Sequence, residues 1–106
     1  MISAARLETA LTRLAQSDET HADAKMEVLR AESAMEAVRD AVYLTESGSI
    51  EDRKAKARQS PQYQDAEKRF LDATREFTAL SNKRRHEEMI VDVFRTLEAS
   101  RRAGNI

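Results

Sequence analysis

Two long stretches of the chain, separated by a short polar one, carry apolar residues at helical spacing. The first includes Leu7, Leu11 and Leu14, then Met26, Val28 and Leu29, then Met35, Val38, Val42 and Leu44, with alanines between them. It contains neither proline nor glycine from Ile2 to about Glu46, so the pattern reads as one helix over about 2–46. The second runs from Pro61 to about Arg102, with Tyr63, Ala66, Phe70, Ala73, Phe77 and Leu80 on one 3,4-spaced seam. Ile90, Val91, Val93, Phe94 and Leu97 form another, which predicts a helix over about 61–102. Each stripe has a polar break. AQSDETHADAK follows Leu14 and SNKRRHEE follows Leu80.

The segment between the stripes holds the helix punctuation. Gly48 is one of two glycines and Pro61 is the only proline; glycine suits the end of a helix and proline its first turn. Ser49 can cap a short helix over about 50–58, with Asp52 three residues on, and Ser60 can cap the helix that Pro61 opens. Gly104 and Asn105 close the last helix, with Arg101 and Arg102 complementing its dipole. These signals predict a single all-α domain over 1–106, an antiparallel hairpin of two long helices, coiled-coil-like, with a short helix at its tip.

Antiparallel helices face each other at positions whose numbers have a constant sum, and a sum of about 105 brings apolar residues together along both stripes. It pairs Leu11 with Phe94, Leu14 with Val91, Val28 with Phe77, Met35 with Phe70 and Val42 with Tyr63. The two polar breaks then meet as well. Asp18 and His21 fall near Arg84 and Glu87 in an interhelical polar cluster. A two-helix hairpin cannot cover every apolar residue here, because MIVDVF at Met89 to Phe94 is apolar on more than one side. Met89, Ile90, Val93, Phe94 and Leu97 are therefore the expected self-association surface, forming a dimer or tetramer as a helical bundle.

Composition narrows the function classes. Charged residues make up 35% of the 106-residue chain and aromatic ones 5%, the profile of a long-helix protein rather than one with a large core. A formal net charge of -1 provides no global field for nucleic acid or anionic membrane, so any such contact is local. There is no cysteine, which excludes disulfides and thiolate metal sites and suits a reducing cytoplasm. No apolar run of signal-peptide or membrane-span length occurs, so a cytoplasmic protein with no membrane partner is expected.

No nucleophile elbow, phosphate loop, dinucleotide fingerprint or zinc-ligand spacing is present, so no catalytic residue is assigned and the expected protein is not an enzyme. Asp18 and His21 with Glu87 have the residue types of a bundle metal site, but Arg84 and Arg85 stand among them and repel a cation; no metal and no cofactor are expected. Arg53, Lys54, Lys56 and Arg58 in the short helix, and Arg95, Arg101 and Arg102 at the end, are the candidate partner-binding or nucleic-acid-binding residues. No aromatic alternates with them in sequence, so no stacking platform for a single strand is visible.

The hinge YLTESGSIEDRKAKARQSPQY and the tail VFRTLEASRRA resemble small all-helical bacteriophage proteins encoded near recombination or single-strand annealing genes. The resemblance covers most of the chain, on Gly48, Ser49, Arg53, Lys54, Ala55, Ala57, Tyr63 and Ala66, and on Phe94, Arg95, Ala99, Ser100, Arg101 and Arg102. It implies a noncatalytic accessory protein of phage DNA recombination or replication, working in the host cytoplasm with a phage or host DNA-metabolism protein. A phage-encoded stoichiometric inhibitor of a host defence protein or enzyme, and a purely structural coiled-coil module, are the alternative expectations.

Overall fold

A computed structural model describes residues 2–104 and contains α1 (Ala4–Thr45), α2 (Ile50–Gln59) and α3 (Pro61–Arg102). The elements expected from sequence are all present, with bounds moved by two residues or fewer. Asn105, read as part of the final stop signal, lies outside the described residues. Residue contacts divide the chain into two compact units, Met1–Ala22 with Thr78–Ile106, and Asp23–Phe77.

Local chemistry explains each boundary. Ser3 opens α1: its Oγ accepts from the Arg6 amide at 3.1 Å, and its carbonyl accepts from Leu7 at 3.0 Å. Gly48 carries the chain out of α1 at φ 114°, a left-handed conformation that a side chain resists; an added Cβ would also press on Asp52 at 3.2 Å. Ser49 caps α2 by accepting from the Asp52 amide at 3.2 Å. Ser60 serves two helices at once. Its amide and hydroxyl both donate to the Ala57 carbonyl at the end of α2, while its Oγ accepts from the Tyr63 amide in α3. Pro61 follows at the first helical position, where no amide hydrogen is needed.

The long helices pack antiparallel, and their cross-helix bonds fix the register. Ser17 meets Arg84 and His21 meets Ser81, so facing positions have sums of 101 and 102. Within the other unit, Ala31, Ala34 and Val38 share one groove with Arg69, Ala66 and Gln62, in the same descending order. The register is thus about one turn from the sequence expectation, and the physical reason is side-chain size. At a sum of 101, Ala10 lies opposite Val91 in one unit, and in the other Ala24 lies opposite Phe77, Val28 opposite Ala73, Ala31 opposite Phe70 and Met35 opposite Ala66. Large residues meet small ones. The expected register sets large against large, which overfills each layer.

The seam of α1 is a seven-residue repeat, with Leu7, Leu14, His21, Val28, Met35 and Val42 at one position and Ala10, Ser17, Ala24, Ala31 and Val38 three residues later. The polar break is therefore no gap in the seam. Val38 belongs to it, whereas Leu11 and Leu44 are exposed. The buried apolar residues are Ala10, Ala31, Ala57, Ala73 and Val91, and among the described residues no large side chain is fully enclosed.

Because Ala73 occupies the small half of a layer, Ala73→Leu is expected to lower unfolding free energy by about 1–3 kcal/mol through overpacking. Ala79→Leu, exposed on the same helix, should change it by less than about 0.5 kcal/mol. Urea denaturation followed by circular dichroism checks both, and equal effects would contradict the size alternation.

Candidate functional site

In the terminal unit, the polar layer of the seam is a bonded network. Glu87 is buried, at 7% exposure, and one guanidinium group from each of two successive seven-residue repeats of α1 reaches it. Arg6 Nη2 donates to its Oε1 at 3.0 Å and Arg6 Nη1 lies 2.9 Å from Oε2, a close ionic contact outside hydrogen-bond alignment. Arg13 Nη1 donates to Oε1 at 3.1 Å. The Arg6 hydrogen bond is the chief cause that holds the Glu87 carboxyl at about 2, below its ordinary 4.5; desolvation opposes it and the Arg13 bond reinforces it. Arg84 reaches across to the Leu14 carbonyl and Ser17 Oγ, both at 2.8 Å, and to exposed Asp18 at 3.3 Å. His21 Nε2 and Ser81 Oγ share a hydrogen bond of 2.8 Å.

The expected cluster of Asp18, His21, Arg84 and Glu87 is thus divided among different partners. Asp18 joins Arg84, but Glu87 takes its partners from Arg6 and Arg13, a connection the sequence reading lacks. The signal was present: Arg6 and Arg13 are seven residues apart, each immediately before a seam leucine. A cavity of about 690 Å³ opens beside this network, between Arg13, Ser17, Lys83, Arg84 and His86. Its Arg13 and Arg84 are already committed to Glu87 and to the Leu14–Asp18 turn.

The basic residues of α2 also divide. Arg53 is half-buried with its guanidinium 5.4 Å from the Tyr43 ring centre, a cation–π contact, and Lys56 Nζ donates to the Ser47 carbonyl at 3.0 Å. These two hold the tip together. Lys54 and Arg58 instead line a cavity of about 510 Å³ with Arg39, Asp40 and both tyrosines, over the fully buried Ala57. Folding therefore puts aromatic rings beside basic residues, although no such alternation is visible in sequence. In the last turns of α3, Arg101 pairs with Glu98 at 3.1 Å, whereas Arg95 and Arg102 are exposed and unpaired among the described residues.

The expected self-association residues are split by the seam. Phe94 is half-buried at a seam position opposite Leu7, one turn beyond the buried Val91, so of these residues Phe94 does not belong to the open face. Met89 and Val93, at 59% and 45% exposure, lie on the far side of α3, with half-buried Ile90 and Leu97 beside them. Among the described residues no helix is long and apolar enough to cross a membrane. The class defined by these observations is an all-α helical-hairpin protein. Comparison with protein-family models, curated proteins and solved structures returns no match.

Glu87 has a lowered pKa, so its contribution to stability is present above the ordinary value of 4.5 and is lost as pH falls from there through about 2. Glu87→Gln is expected to flatten the dependence of melting temperature on pH across that window and to lower stability at pH 7. Glu88→Gln, an exposed neighbour, should leave the slope unchanged. An unchanged slope in Glu87→Gln would contradict the network.

Proposed function

We propose that the protein is a noncatalytic accessory protein that acts by helical self-association and partner binding, with a second copy docking on α3 through Met89, Ile90, Val93 and Leu97. The observation that carries this reading is the pair Met89 and Val93, one turn apart and exposed on the face of α3 turned away from buried Val91. A large apolar residue left in water on a helix loses about 1.5–3 kcal/mol of burial free energy that a second apolar face supplies. The alanine-rich seam encloses no large side chain among the described residues, so the hairpin has little apolar burial of its own.

A second copy is the occupant favoured here because a two-fold contact covers this patch twice. The near-neutral charge, -1 per chain, also sets little repulsion against it. The resemblance of hinge and tail to phage proteins supports a working context in DNA recombination or replication, with exposed Arg95 and Arg102 available to a partner.

The test is solution mass by analytical ultracentrifugation at about 100 µM, where an interface of micromolar affinity is filled. The wild-type chain is expected as a dimer or tetramer, and Met89→Glu with Val93→Glu as a monomer of unchanged helicity. A monomeric wild-type chain, or a double variant that assembles normally, would remove this reading.

A further inference from the structure

The cavity at the tip combines aromatic and cationic walls in a chain whose aromatic content is 5%. Tyr43 from α1 and Tyr63 from α3 are its half-buried rings, and Ala57 of α2 is its small floor. Arg39, Lys54 and Arg58 are its cations, against Asp40 as its one acid. Arg39 Nε lies 3.4 Å from Asp40 Oδ1, which offsets that acid and leaves Lys54 and Arg58 as the charge offered to a ligand. Lys54 has Glu51 only at 3.9 Å, both in solvent, a contact worth little. Arg58 is exposed and has no hydrogen bond or ion pair among the described residues.

We propose that this cavity binds a nucleoside phosphate, its base against a tyrosine ring and its phosphate held by Lys54 and Arg58. A flat ring satisfies the phenol faces and an anion satisfies the cations; a nucleoside phosphate joins both at the right scale. The volume of about 510 Å³ falls within the range of small-ligand sites, about 300–1,000 Å³. Stacking of a base on an aromatic side chain tolerates any base, because every base has a π-face. Arg53, outside the cavity lining, holds the Tyr43 ring by its cation–π contact and fixes one stacking surface in place. The ligand is either a free mononucleotide or one unit of a single strand, since both present the same chemistry. The proposal uses side chains of α1, α2 and the start of α3, and does not rest on self-association through Met89 and Val93.

The chain supplies its own reporter. It has two tyrosines and no tryptophan, and both tyrosines line this cavity, so intrinsic fluorescence reads this site alone. The full chain is titrated with thymidine 5′-monophosphate, with an oligothymidylate of about 12 residues, and with inorganic pyrophosphate as phosphate lacking a base. Saturable change of tyrosine emission by a nucleotide probe is expected, with pyrophosphate at least about tenfold weaker because it cannot stack. Lys54→Glu with Arg58→Glu, both at exposed positions, should weaken nucleotide binding at least about tenfold and lower its salt slope by about 2, with unchanged circular dichroism. Tighter binding of the oligothymidylate than of the mononucleotide identifies a strand unit; equal binding identifies a free nucleotide. The proposal is overturned by no saturable change with either nucleotide probe, by pyrophosphate binding as tightly as they do, or by wild-type affinity in the double variant.

Discussion

The alanines at positions 10, 31 and 73 determine how closely α1 and α3 approach, and much else follows from that constraint. A methyl group leaves room for a large residue from the opposite helix, so Val91, Phe70 and Val28 fill the layers that these alanines leave. Such packing fixes one register more sharply than a seam of leucines does, because a slip of one layer sets large against large in one place and opens a void in the next. It also limits apolar burial. With no large side chain fully enclosed among the described residues, each layer contributes modestly, and a long seam compensates for a thin one. Residues such as Met89, Val93 and Leu71 then remain in solvent because the two helices have no further surface with which to cover them.

The polar layer of the terminal unit supplies directional information that alanine cannot. Glu87 stands opposite Leu14 in the register, and a buried carboxylate there is costly without donors. Arg6 and Arg13 remove that cost from positions one repeat apart, both on the N-terminal side of the level that Glu87 faces. In a parallel pairing or a shifted one the carboxylate would be buried without its arginines, a larger loss than any exposed ion pair could offset. Arg84 has a similar part in the opposite direction, donating to a carbonyl and a hydroxyl of α1. The network thus contributes selectivity of pairing, as polar residues in coiled-coil seams do.

What was legible in sequence follows the range of the interaction. Gly48, Ser49, Ser60 and Pro61 act on their own neighbours, so the junctions between the three helices could be read from those residues directly. The register could not, because the eye aligns Leu11 with Phe94 and Leu14 with Val91, while the deciding residues are alanines that look like filler. Glu87 is legible as polar and interhelical, but its partners lie among arginines flanking the apolar seam rather than in the facing polar break. The hinge cations Arg53 and Lys56 looked equivalent to Lys54 and Arg58; only tertiary placement of the Tyr43 ring and the Ser47 carbonyl separates structural cations from available ones. The aromatic and basic residues of the tip come from three helices, so no local alternation could announce them.

The tip depends on α2 in a way its length makes plain. A ten-residue helix is too short to persist alone in water, where about 12–15 residues are marginal even for good helix formers. Its order comes from outside: Ser49 and Ser60 satisfy its ends, Arg53 lies against Tyr43, Lys56 ties back to Ser47, and Ala57 packs with no exposed surface. Each of these contacts consumes one face of the helix and turns another outward, and the face left over carries Lys54 and Arg58. The small side chain of Ala57 lets α2 seat itself closely at the tip, beneath the cavity that Lys54 and Arg58 line.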